Sequence, residues 1–203
     1  MMKIKNVQVY GLNESLVRSG YPQRYKEPRD FFDIGIEKFM QRGRLLGKVR
    51  TGTGHDNFLK GIIVQFDLKY PEYFSPQLQR YSYIDIVSSQ SKMYTLTKRE
   101  LTKNDFTEST SIGNIDRLNN VIKRYNSAVN ESEKNKYFNH IISNLPSGYL
   151  KWMGISTNYL QLKTIRQQRR THKLQEWKDF CKWIDSLPHF QELTNKNYKN
   201  ENM

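Results

Sequence analysis

The sequence predicts an α+β fold, a small sheet flanked by helices, and three observations carry that expectation. From Ile62 to Lys69 apolar and polar residues alternate with the two-residue period of a half-buried strand. Apolar runs around Tyr83–Val87 and Tyr149–Thr157 predict two further strands. In the C-terminal third, Leu174, Trp177, Phe180, Cys181 and Ile184 recur at helical spacing and predict an amphipathic helix packed on a core.

The remaining elements follow in chain order. Between Asp30 and about Gly47, Phe31, Phe32, Ile36, Phe39 and Met40 fall at roughly helical spacing and stop near a glycine. The next stretch, TGTGHDNFLKG, reads as a turn, because its glycines lack the spacing and strand context of a dinucleotide fingerprint. Pro71 ends the first predicted strand, and a short helix spans Gln77 to Arg80. Two helices, Asn114–Asn126 and Glu131–Asn144, flank a polar break, and Leu145-Pro146-Ser147-Gly148 forms a turn before the third strand.

The helix predicted from Asn158 to Arg170 has a basic side. Lys163, Arg166, Arg169, Arg170 and Lys173 project into an arc of roughly 120° at about 100° per residue. Such an arc is either a solvated face or the lining of an anion site, for which the planar guanidinium is well suited. The last ten residues, TNKNYKNENM, lack apolar periodicity and read as a disordered tail. Residues 1–193 are expected to form a single domain, with residues 1–29 as an N-terminal extension.

Composition narrows the function classes. With 203 residues, 36% hydrophobic and 13% aromatic, the chain has enough packing material for a real core. Its net charge of +13 attracts phosphate-bearing partners, and charge alone does not choose between a nucleotide, a cofactor, nucleic acid and an anionic surface. One cysteine, Cys181, rules out an intrachain disulfide framework, and its place in the apolar stripe marks it as a core thiol rather than a nucleophile. His55, His140, His172 and His189 are scattered without ligand spacing, so no metal is expected. The start lacks an apolar signal region and no run is long enough to span a bilayer, which predicts a cytoplasmic protein with no membrane partner. Lysine- and asparagine-rich usage points to an AT-rich genome of bacterial or phage type.

Three blocks, in order, resemble the flavin-dependent thymidylate synthases. The first, HDNFLKGIIVQFDLKYPEYFSPQLQRYS from His55 to Ser82, is similar to the family's His-Glu opening, aromatic strand, proline and Gln-x-x-Arg-His-Arg. His55 and Asp56 match the opening, Gln77 the Gln and Arg80 the first Arg. The second block runs on to Tyr94, where Ser91 and Tyr94 match the family's Ser and Tyr after a one-residue insertion. The third, LPSGYLKWMGISTNYLQLKTIRQQR, resembles the Leu-Pro turn, aromatic strand and Asn-initiated helix, with Asn158 on the Asn and Arg169 on the helical Arg.

What the resemblance implies is an enzyme of mixed helices and a small mixed or antiparallel sheet, assembled as a homotetramer, that methylates dUMP. FAD is its cofactor, with NADPH and methylenetetrahydrofolate as co-substrates. Carried over by position, Arg169 and Ser91 become the catalytic candidates. His55, Arg80, Tyr81 and Asn158 fall to the flavin, and Gln77, Gln90, Ser91, Tyr94 and Arg169 to the nucleotide.

The departures are specific. Tyr81 and Ser82 stand where the family has His and a second Arg, Met93 where it has an Arg, and Ile142 where it has another. Each charged hydrogen bond to a bound anion contributes about 1.5–3 kcal/mol, so losing several weakens dUMP phosphate binding by orders of magnitude. Lys92, Lys163, Arg166 and Arg170 are the candidate replacements. An alternative reading keeps the scaffold without catalysis, as a basic nucleic-acid- or partner-binding protein. Residue by residue, other readings also stand. Arg80 is a cation at a helix end or a ligand group. The cluster Ser88 to Ser91 is a strand edge and helix cap or a nucleotide contact. Tyr81 and Tyr94 are sheet packing or stacking rings.

Overall fold

The computed structural model describes residues 2–25, 27 and 36–196. Phe31 and Phe32 of the predicted helix and the tail from residue 197 lie outside them. The described strands are β1 (Lys3–Tyr10), β2 (Ile63–Pro71), β3 (Asp85–Ser89) and β4 (Leu150–Asn158), which form one small antiparallel sheet in the order β1-β2-β4-β3. The helices are α1 (Leu12–Arg18), α2 (Glu37–Gly47), α3 (Ser75–Leu78), α4 (Lys92–Thr95), α5 (Ile112–Ser127), α6 (Glu131–Ser143), α7 (Tyr159–Arg169), α8 (Gln175–Asp185) and α9 (Phe190–Thr194). The α+β class expected from the sequence is the class observed.

Contacts gather into two compact units whose limits cut across the strands. The first takes the chain up to Lys5, Asp67–Ser82 and Ile86–Ile155. Its core joins Leu96, Leu101 and Phe106 to Ile115, Leu118 and Ile122 of α5, Ile141 of α6, and Tyr149. The α5 residues lie three and four apart, so one stripe of the helix is apolar and packs on α6. Asn130 starts α6 by accepting the Glu133 N–H at 2.9 Å, and Glu131 and Glu133 place negative charge at its positive end. Phe106 meets Tyr149 edge-on with ring centres 5.5 Å apart.

The second unit takes Asn6–Phe66, Tyr83–Asp85 and the chain from Ser156 onward. Here α1, α2, α7, α8 and α9 pack around Leu16, Phe39, Leu162, Ile165, Trp177 and Phe180, all buried. Helix α2 approaches α9 closely because Gly47 carries no side chain: a Cβ there would run into the Leu193 carbonyl oxygen. The same pair is tied by an ion pair between Arg44 and Glu192. Tyr159 donates its hydroxyl to the Pro188 carbonyl at 2.6 Å and sets its ring against Phe190 at 5.1 Å.

Several elements differ from the sequence expectation. The short helix begins earlier, at Ser75, because Pro76 suits a first helical turn, where no backbone N–H is needed. The second strand forms two residues later, and Ile84 is buried just ahead of it. The segment expected as an N-terminal extension supplies β1 and α1. In β1, Asn6 has φ 51°, and this left-handed residue resets the alternation, so that Ile4, Val7 and Val9 are the half-buried positions. Among the described residues no helix is long and apolar enough to cross a membrane.

Candidate functional site

Six of the residues singled out from the sequence fall in the first unit: Gln77, Arg80, Tyr81, Gln90, Ser91 and Tyr94. Fully buried Phe74 and Leu78 anchor the single turn of α3 and leave Gln77 half-buried. The Gln79 amide donates to Ser75 Oγ at 3.0 Å, and the Tyr81 N–H reaches the Leu78 carbonyl at 3.2 Å. Arg80 follows this turn with its guanidinium exposed.

Beyond β3 the chain is held by Gln90. Its backbone N–H donates to the Trp152 carbonyl at 2.9 Å, and its side-chain Oε1 accepts the Trp152 N–H at 3.0 Å. Gln90 thereby continues the β3–β4 ladder through its own side chain, a structural job that commits its carbonyl oxygen. Ser91 occupies the N-cap position of α4 in extended conformation, yet its side chain makes no capping hydrogen bond. Its carbonyl instead accepts the Thr95 hydroxyl at 2.8 Å. Met93 and Tyr94, the latter 74% exposed, project outward from the turn.

Lys92, a candidate replacement for the missing arginines, has a partner. Glu72 sits between Lys92 at 3.2 Å and Lys151 at 3.0 Å. Burial works to raise the Glu72 pKa, but the hydrogen bonds and charges of Lys151 and Lys92 outweigh it and hold the carboxyl below its usual range.

His55, Asn158 and Arg169 fall in the second unit. His55 is exposed in a loop where Gly52 and Gly54 take left-handed backbone, φ 95° and 85°. The neighbouring Asp56 points the other way and is 1% exposed. Its Oδ2 meets Lys163 Nζ at 2.6 Å, with Lys163 itself 2% exposed, and the same ammonium donates to the Val49 carbonyl at 2.6 Å. Lys163 thus clamps the His55 loop to α7. Asn158 caps that helix, its Oδ1 accepting the Gln161 N–H at 2.9 Å. At the other end of α7 the Arg169 guanidinium lies over the Trp177 ring at 4.7 Å.

The basic arc of this helix therefore comes apart. Lys163 is buried in an ion pair, Arg166 pairs with Asp185, and Arg169 stacks on Trp177. Arg170 and Lys173 are exposed. Spacing on a helical wheel gives directions but not partners, and here the partners come from residues 107 and 19 positions away. Cys181 is buried, and burial pushes its thiol up to about 11, so it stays protonated at neutral pH and is no nucleophile. Among the described residues no group of three or more His, Cys, Asp and Glu is placed to hold a metal.

An antiparallel sheet with helices around it defines an α+β protein. No family model matches the sequence, and no curated protein matches it. Solved structures match the fold over nearly the whole chain, two of them as follows. One is the flavin-dependent thymidylate synthase ThyX from Helicobacter pylori complexed with FAD and dUMP, with TM-score 0.69 and 18% identity, covering 98% of this chain and 99% of that one. The other is ThyX from the same organism, also with FAD and dUMP, with TM-score 0.65 and 18% identity, covering 95% and 96%. The chain has a ThyX-like fold.

Proposed function

We propose that the chain binds a flavin and a pyrimidine nucleotide on its ThyX-like fold. The observation that carries this reading is the near-complete fold match to two structures of ThyX with FAD and dUMP. The donor set fits such ligands in kind. Exposed Arg80 and exposed His55 suit phosphate, the left-handed Gly52 has open space where a Cβ would stand, and the Ser91 hydroxyl makes no capping bond. FAD, when bound, supplies redox chemistry that no side chain of this chain provides. In this reading Arg80, His55, Tyr81 and Asn158 are flavin contacts, with Asn158 offering its Nδ2 amide because its Oδ1 accepts the Gln161 N–H. Gln77, Gln90, Ser91 and Tyr94 border the nucleotide, and Arg169, oriented by Trp177, polarises the pyrimidine ring.

Standard methylation of dUMP with NADPH and methylenetetrahydrofolate is the weaker part of the inheritance. Met93 and Ile142 stand in for two arginines, and three of the candidate substitutes, Lys92, Lys163 and Arg166, already hold carboxylates. Nucleotide affinity resting on the phosphate is expected to be low. Assembly into an oligomer, by resemblance a tetramer, is supported by β3: it is an edge strand exposed along all five residues, Ile86 and Val87 included.

The purified protein tests this directly. Bound or added FAD is expected to give a yellow protein with quenched flavin fluorescence, and Arg80→Ala is expected to weaken that binding. A colourless protein that leaves FAD fluorescence unchanged would sink the flavin half. For the nucleotide half, calorimetry with dUMP is expected to show binding in the FAD-loaded protein and none in Arg169→Ala. Equal binding by both would show that Arg169 is not at the site.

A further inference from the structure

Within the first unit, three depressions adjoin one another on the sheet. The middle one, about 460 Å3, has Lys69, Lys98, Arg99 and Trp152 on its walls. It shares Lys69 and Leu150 with a depression of about 440 Å3 that reaches Lys3 and Lys103. It shares Gln90 and Trp152 with another of about 370 Å3 that reaches Ser88 and Gly154. The result is a trough crossing all four strands, from Lys3 on β1, over Lys69 on β2 and Trp152 on β4, to Ser88 on β3.

This is the outward face of the sheet. On β2, Asp67 and Lys69 alternate with buried Leu68 and Tyr70; on β4, Trp152 and Gly154 alternate with buried Met153 and Ile155. Gly154 leaves the floor flat beside the indole, and Lys5 holds its ammonium 5.8 Å from the Trp152 ring centre. The cations are not cancelled locally. Three carboxylates line the trough, Asp67, Asp105 and Glu108, against five cationic side chains, with Lys5 a sixth above Trp152. Asp105 is spent on Arg99, at 2.5 and 2.8 Å. Lys69 and Lys103 donate to backbone carbonyls, which fix the ammonium groups in place without neutralising them.

A shallow track of cations with the flat Trp152 ring at its centre suits an extended polyanion that carries flat rings, and a sheet face offers such a ligand phosphate contacts and a stacking surface together. We propose that this trough binds single-stranded nucleic acid, with phosphates along Lys3, Lys69 and Lys98 and a base stacked on Trp152. None of these four residues belongs to the flavin and nucleotide reading, which shares only Gln90 with the trough's lining.

The test is fluorescence anisotropy of the full chain with a labelled fifteen-nucleotide oligothymidylate, across a salt series. Binding is expected to weaken linearly in log–log form as salt rises, with each of Lys69→Gln and Lys98→Gln lowering the slope by about 0.7. Trp152→Ala is expected to weaken binding about ten-fold, while Trp152→Phe restores most of it and confirms that the fold is intact. The oligonucleotide should quench the intrinsic fluorescence of the wild type and not of Trp152→Phe, which assigns the quench among the three tryptophans. The proposal is overturned if no binding occurs at low salt or if the lysine variants and Trp152→Ala bind like wild type. It is equally overturned if a duplex of the same length or inorganic polyphosphate binds as tightly as the single strand. Displacement of the strand by dUMP alone would assign the trough to the mononucleotide and overturn it too.

Discussion

The basic side of α7 and the basic trough on the sheet are built from the same residue types, yet their cations face different surroundings. On α7, Lys163 and Arg166 turn inward to carboxylates, Asp56 and Asp185. In the trough the cations border solvent-filled space, and the hydrogen bonds of Lys69 and Lys103 go to carbonyls that leave the charge in place. A cluster of positive residues is thus a structural clamp or a ligand surface according to what lies opposite it.

The sharpest break of that comparison is at Lys163. Lys163→Met should destabilise the chain by about 3–5 kcal/mol in urea unfolding, because Asp56 is then left buried and charged. Pairing it with Asp56→Leu should recover a large part of the loss, since an apolar pair suffers no desolvation. If Lys163→Met were nearly neutral, the pair would be solvated and α7 would be a surface face after all.

Acid should act next. Glu72, Asp105 and Glu192 all have native pKa values held below the ordinary range, because lysine, arginine or histidine partners outweigh the burial that would raise them. Such groups bind fewer protons folded than unfolded, so their stabilisation is present above the unfolded pKa and is lost as pH falls through the folded one. Melting temperature should therefore hold from neutral pH down to about 5 and then drop. Glu72→Gln should flatten part of that drop, and an unchanged profile in the variant would remove Glu72 from it.

Asn158→Ala tests the cap of α7. Loss of the bond to the Gln161 N–H should cost about 1 kcal/mol, while Asn158→Asp, which keeps an acceptor, should cost less. A conservative variant that loses flavin binding with stability intact would show that the residue also serves the ligand. The smallest effect belongs to the surface pair Lys134–Glu131, open to solvent and three residues apart. Lys134→Ala should change stability by less than about 0.5 kcal/mol, with a larger change at low salt than at high salt as its check.

The elements that sequence reading placed well are those whose signal is local. Ile62 to Lys69 alternates because β2 has one face on the core, and Trp177, Phe180, Cys181 and Ile184 recur because α8 buries one stripe. β1 escaped notice because Asn6, at positive φ, shifts the alternation by one residue. Of the candidate residues, the order and spacing of His55, Gln77, Arg80, Ser91, Asn158 and Arg169 are legible in the sequence. The cap made by Asn158, the ladder bond of Gln90 and the partners of the α7 cations are not.

What the sequence by itself determined is the α+β class, most helices and strands, the surplus of positive charge and the likeness to a ThyX fold. Periodicity and composition are properties of neighbouring residues, and the chain order of motifs survives without coordinates. Only the tertiary structure decided which cations are spent and which remain to meet a ligand. Asp56 and Lys163 are 107 residues apart, and Lys3, Lys69, Lys98 and Trp152 come from four separate segments. Electrostatic and hydrogen-bonding partners are set by distance in space, and that distance exists only once the chain has folded.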